Sequence, residues 1–121
     1  MVLDTNLLIY SVKPGFDTLR QFIGQQPTFA SVVSKVEALG FHLITVEEKV
    51  AIEYAFASTP LIPVSSTIID SAIALRQQRK MSLGDALIGA TALAYGLPLA
   101  THNVRDFDWI DGLNVVDPLV T

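Results

Sequence analysis

The sequence contains no cysteine. Disulfide bridges, thiolate metal sites and a cysteine nucleophile are therefore excluded, and the composition fits a reducing compartment. Positive charge is scarce. Eight Lys and Arg stand against twelve Asp and Glu, a formal charge of −4, which rules out a strongly basic, non-specific nucleic-acid binder. Long apolar runs are also missing. The longest stretch without Asp, Glu, Lys or Arg, residues 86–104, is broken by Gly96-Leu97-Pro98, whereas a spanning helix needs about 20 mostly apolar residues. The first ten residues hold Asp4 and no basic residue, so no export signal is legible. These absences predict a cytoplasmic protein without membrane association. No internal repeat, linker or low-complexity tract interrupts the chain.

Half of the 121 residues are hydrophobic and the mean hydropathy is +0.45. That excludes intrinsic disorder and predicts one domain, residues 1–121, with its own core. Met1-Val2-Leu3 reads as a buried strand ending at Asp4. Further strands are expected at residues 28–30, 61–64, 97–101 and 113–116, with Pro63 favouring a sheet edge for the third strand. Helical patterns begin at Leu7 and cover residues 16–26, 31–41, 45–58, 66–80 and 83–95; the last is almost wholly apolar and is expected to be buried. Short apolar strands alternating with helices predict a small three-layer α/β/α sandwich around a short parallel sheet.

In such folds ligands bind at the carboxyl ends of the strands. Asp4 ends the first strand, Glu37 lies on the helix after the second, Asp85 opens the apolar helix, and Asp106 follows the strand ending at Thr101. Each has an ordinary alternative. Asp4 can cap a helix, Asp106 can be a loop acid, and Ser34-x-x-Glu37, Thr45-x-x-Glu48, Thr67-x-x-Asp70 and Ser82-x-x-Asp85 all match the capping box. Taken together they point elsewhere. Gly89 and Ala92 share a face with Asp85 and let its helix pack closely, leaving that acid partly buried, which is costly without a partner. Clustered carboxylates repel by a few kcal/mol per close pair at an effective dielectric of ~20. A divalent cation relieves this, and all-oxygen ligation selects Mg²⁺ or Mn²⁺ over zinc.

At this point the motifs resemble a known family. Met1-Val2-Leu3-Asp4-Thr5-Asn6 resembles the opening of a PIN domain. Residues 31–40 resemble its second acidic motif, residues 83–92 the third, Thr101-His102-Asn103-Val104-Arg105-Asp106-Phe107 the fourth, and residues 112–118 its terminal strand. The compact length is similar to VapC-type toxins of bacterial toxin–antitoxin pairs. The resemblance implies a Mg²⁺- or Mn²⁺-dependent endoribonuclease in which Asp4, Glu37, Asp85 and Asp106 hold one or two ions and an activated water attacks the phosphodiester in line. It implies polar supporting roles for Thr5, Asn6, Thr101 and Asn103, a homodimer, and silencing by a cognate antitoxin.

Asp108 is an alternative fourth acid; Asp106 matches the Asp-Phe step of the motif. Arg76, Arg79, Lys80 and Arg105 are candidate RNA contacts, with Lys13, Lys35 and Arg105 forming a second patch. Helix-end cations also suit the dipole, so a solvated role for the first trio stays open. Trp109 and Phe107 read as base-stacking groups or as anchors of the last loop. Apolar faces on helices 16–26 and 45–58 are candidate dimer or antitoxin surfaces. His42 and His102 are too far apart in sequence for a zinc pair. The competing expectations are an RNA-processing nuclease of the same fold, a catalytically silent dimeric binding module, and a phosphohydrolase of the haloacid-dehalogenase type. The last needs a second Asp where this chain has Asn6.

Overall fold

The computed structural model describes residues 1–120. The elements run β1 (Val2–Leu3), α1 (Thr5–Ser11), α2 (Asp17–Gly24), β2 (Ala30–Ser31), α3 (Val32–Leu39), α4 (Val46–Ala57), β3 (Leu61–Ile62), α5 (Ser66–Gln78), α6 (Leu83–Tyr95), β4 (Leu99–Ala100) and β5 (Val115–Val116), with a 3₁₀ turn at Val104–Asp106. β1, β4 and β5 pair in parallel, Val2 opposite Leu99 and Leu99 opposite Val115. β2 pairs in parallel with β3. A bridge between Val2 and Phe29, with Leu3 N donating to Phe29 O at 2.9 Å, joins the two groups in the order β3-β2-β1-β4-β5. The Pro63 strand is thus at an edge, as its proline predicts. All five strands are shorter than the apolar runs suggest, because only two residues in each keep ladder geometry before the chain turns into a loop or helix.

Alternation along these strands divides the core in two. Val2, Ile62 and Leu99 pack with Ile68, Ala72 and Leu75 of α5 and Ala86, Ile88 and Ala90 of α6. Leu3, Ala30 and Ala100 face the other way, against Leu7 and Leu8 of α1, Leu19 of α2, Ala38 of α3 and Ile52 and Phe56 of α4. Period-two strands with both faces apolar need a helical layer on each side. The expected three-layer α/β/α arrangement follows from that.

The caps decide where helices begin, and they correct two readings. Thr45 and Glu48 make a full capping box at α4, and Ser82 Oγ accepts from Asp85 N at α6. Ser34 and Thr67, however, are not caps. Ser31 caps α3 and Ser65 caps α5, one turn or less upstream. The four-residue pattern matched by chance at those sites, since Ser and Thr are also common inside helices. Gly96 ends α6 at φ 62°, a left-handed conformation that glycine adopts without a Cβ clash. Among the described residues no helix is long and apolar enough to cross a membrane.

Candidate active site

Parallel pairing brings Asp4 and Thr101 side by side at the carboxyl edge: Asp4 N donates to Ala100 O and Thr101 N to Val116 O, both at 2.9 Å. Asp4 is 5% exposed. Its Oδ1 accepts from Thr5 N at 2.8 Å and its Oδ2 from Thr101 Oγ1 at 2.7 Å. Asp4 is therefore also the N-cap of α1; the helix cap and the site acid are one residue. Thr101 Oγ1 in turn accepts from Asn103 N at 3.0 Å, fixing the start of the loop to Asp106.

Glu37 projects from α3 toward the same edge. Thr5 Oγ1 lies 2.6 Å from Glu37 Oε1 and 2.8 Å from Ser34 Oγ. A hydroxyl carries one proton, so Thr5 donates to the carboxylate and accepts from Ser34. Gly84, in the first turn of α6, leaves room for this carboxylate: a Cβ there would overlap Glu37 Oε2. Asp85 follows at once, half-buried. Asp4, Glu37 and Asp85 line one depression with Thr5, Asn6 and Asn103. Asp106, exposed in the 3₁₀ turn, lines an adjoining groove together with Asp85. Asp108 is exposed and lines neither hollow.

The electrostatics follow from this crowding. Burial pushes the Asp85 carboxyl up from 3.8 to about 6; the charges of Asp4, Asp106 and Glu37 push the same way, and hydrogen bonding with Ser82 pulls it partly back. Asp4 is also raised, chiefly by burial, with hydrogen bonds from Thr101 and Thr5 N opposing and the charges of Glu37 and Asp106 reinforcing. Among the described residues the ion pairs of Lys and Arg are Arg20–Asp17 and Lys49–Glu53, and His102 Nδ1 hydrogen-bonds with Asp117 Oδ2 at 3.0 Å. None of them neutralises the four acids. Nor, among the described residues, do three carboxylates close on a single point as ligands of one ion do; they face a shared space but stay apart, as like charges do. The donor chemistry suits a hard divalent cation, and the Gly84 hollow admits the Glu37 oxygens beside Asp85.

A groove of about 600 Å³ extends from Asp85 and Asp106 past Arg76, Arg79, Lys80, Arg105 and Trp109. Arg105 thus lines one groove with Arg76, Arg79 and Lys80, the four expected RNA contacts, whereas Lys13 lines a separate hollow with Glu47 and Glu48. Phe107 is fully buried and is an anchor, whereas half-buried Trp109 borders the groove. The predicted apolar face on residues 16–26 is core, since Leu19, Phe22 and Ile23 pack inward. On α4, in contrast, Val46, Val50 and Tyr54 are 75%, 63% and 79% exposed.

Sequence reasoning passed over Ser34 and Gly84. A glycine in the first turn of an otherwise apolar helix was the available signal for a close approach. For Ser34 the capping pattern masked its inward position.

The comparisons agree with this geometry. A sequence model described as the PIN domain matches residues 1–113. A toxin–antitoxin complex from Klebsiella pneumoniae contains a chain that is 30% identical, with a TM-score of 0.79 over 97% of this chain and 96% of that one. VapBC-1 from nontypeable Haemophilus influenzae is 24% identical, with a TM-score of 0.80 over 97% and 96%. DNA-bound VapBC from Salmonella typhimurium is 20% identical, with a TM-score of 0.83 over the same shares. Comparison with curated proteins gives no match. With its parallel sheet, its acidic carboxyl edge and a family match over nearly all of its length, this chain belongs to the PIN domain family.

Proposed function

We propose that this chain is a Mg²⁺- or Mn²⁺-dependent endoribonuclease and the toxin of a toxin–antitoxin pair. The observation that carries the reading is that Asp4, Glu37 and Asp85 line one depression and Asp106 joins Asp85 in the adjoining groove, four acids from four separate elements with no cation paired to them among the described residues. A structural role alone does not account for buried Asp4 and half-buried Asp85, whose proton affinity is raised chiefly by burial and further by the neighbouring carboxylates. These four residues would hold the ion or ions. When bound, the cation lowers the pKa of water toward neutrality and screens charge on the phosphate.

The chain's own groups do the positioning. Thr101 and Thr5 N hold both Asp4 oxygens in place, and Thr5 aims Glu37. Such polar support keeps ligating carboxylates in one orientation and limits reorganisation during the reaction. Asn6 and Asn103, exposed at the rim, offer amide hydrogen bonds to the substrate backbone. The hydroxyls of Thr5 and Thr101 are committed to carboxylates, cysteine is absent and the acids are taken up as metal ligands in this reading, which suits water as the nucleophile.

The toxin reading rests on likeness to the Klebsiella pneumoniae complex. The exposed apolar residues of α4, with Val36 of α3 at 73% exposure, suit a cognate antitoxin or a second copy, because large exposed apolar patches mark protein contacts. The deciding experiment is cleavage of a labelled structured RNA pool in Mg²⁺, Mn²⁺ or EDTA, beside Asp4→Asn purified identically. Cutting that needs metal and disappears in Asp4→Asn is expected. Equal cutting by both preparations removes the proposal. Inertness of both, persisting after denaturation and refolding to strip any co-purified partner, leaves a binding module.

A further inference from the structure

The groove beside Asp85 and Asp106 has its own chemistry. Arg76, Arg79 and Lys80 approach it from the end of α5, and Arg105 approaches from the 3₁₀ turn. None of these four is ion-paired among the described residues. Arg76 is steadied by its Nε donating to Met81 O at 3.3 Å. Trp109 lines the same groove. One part of it packs on the core, and its Nε1 donates to Asp106 O at 2.9 Å. The Arg79 guanidinium sits 5.3 Å from its ring centroid. A surface that combines unpaired cations with an aromatic face fixed beside an acidic centre matches the backbone and one base of a nucleic-acid strand. A duplex fits poorly, because its bases keep their faces stacked on each other.

We infer that this groove is the strand-entry subsite. The four cations hold phosphates, and Trp109 is the platform for a single unpaired base next to the cleaved bond. The inference rests on the nuclease reading for its placement. Arg79 changes partner when RNA binds: its charge moves to a phosphate and the base takes its place on the ring. Because Trp109 also ties down the backbone of Asp106, base stacking and the position of that acid are set by one side chain.

Trp109 is the only tryptophan in the chain, so its fluorescence reports the subsite directly. The test is titration with a short single-stranded RNA in EDTA, where cutting is blocked, read by tryptophan quenching and by anisotropy of a labelled strand. Wild type and Asp4→Asn are both expected to show saturable quenching, with little from the same sequence as a duplex. Four phosphate contacts predict a log–log salt slope of about −3. Arg79→Ala should flatten that slope and weaken binding, and Trp109→Ala should weaken it about tenfold while Trp109→Phe retains it within about threefold.

Equal quenching by duplex, unchanged affinity in Trp109→Ala, or stronger quenching by a polyglutamate peptide than by RNA would each overturn the inference. If Trp109→Ala fails to fold, the wild-type quench and the Arg79→Ala slope still decide it. A protein that binds single strands this way but never cuts refutes the nuclease reading alone. One that cuts with a silent Trp109 refutes only the subsite.

Discussion

Replacing Asp85 by Asn should raise the stability of the metal-free protein and lower that of the metal-loaded one. The carboxyl rises from 3.8 to about 6 in the fold. At 1.36 kcal/mol per decade this is about 3 kcal/mol, but the group is half-exposed, so screening reduces it to about 1.5 kcal/mol. A carboxylate in the first turn of α6 is favoured by the helix dipole by about 0.5 kcal/mol, which the variant loses. The net gain for Asp85→Asn near pH 7.5 is about 1 kcal/mol, or about 4 °C in Tm for a chain of this length.

The sign follows from proton linkage. A folded-state pKa above the unfolded one means the folded protein binds more protons between about pH 4 and 6. The stabilising contribution is therefore full below pH 4 and lost as pH rises through 6. In EDTA the wild type should lose stability over that interval more steeply than Asp85→Asn; the raised Asp4 acts in the same direction in both. With Mn²⁺ at a hundred times its Kd, the wild type gains about 2.7 kcal/mol and overtakes the variant. Thermal melts at several pH values, in EDTA and in MnCl₂, read all of this. A variant that melts lower in EDTA would show that Asp85 is simply a helix-start acid. Equal Mn²⁺ shifts in both proteins would refute a shared site.

Three further outcomes are expected. Gly84→Ala should cut RNA cleavage by tenfold or more at unchanged or slightly higher Tm, since the added methyl displaces the Glu37 carboxylate while alanine favours the helix by about 1 kcal/mol; activity beside a melt checks both halves. Thr101→Val removes the donor to Asp4 Oδ2 and the acceptor for Asn103 N, and should cost about 1–3 kcal/mol in urea unfolding, because buried partners are left unsatisfied. Gly89→Ala should add up to about 1 kcal/mol, because its Cβ would meet Ile110 Cδ1 at 3.4 Å and Phe107 Cδ1 at 3.5 Å, ordinary contact distances; a lower Tm would show that the α6–loop contact has no slack.

The sequence by itself determined the order of elements, the parallel sheet, the edge position of the Pro63 strand and the residue types at the acidic edge. These depend on local periodicity, turn chemistry and caps, which a short window of chain contains. It also showed that Asp85 begins a helix whose small residues let it pack closely. The tertiary structure alone decided which acids meet. Glu37 enters the site because Gly84, far along the chain, has no side chain, and because Thr5 shares its proton with that carboxylate and not with Ser34. Arg105 joins Arg76, Arg79 and Lys80 because the loop after β4 folds against the end of α5. The α2 face turned out to be core while the α4 face stayed bare. A helix pattern shows that a stripe is apolar, but only the packing of distant elements determines what covers it.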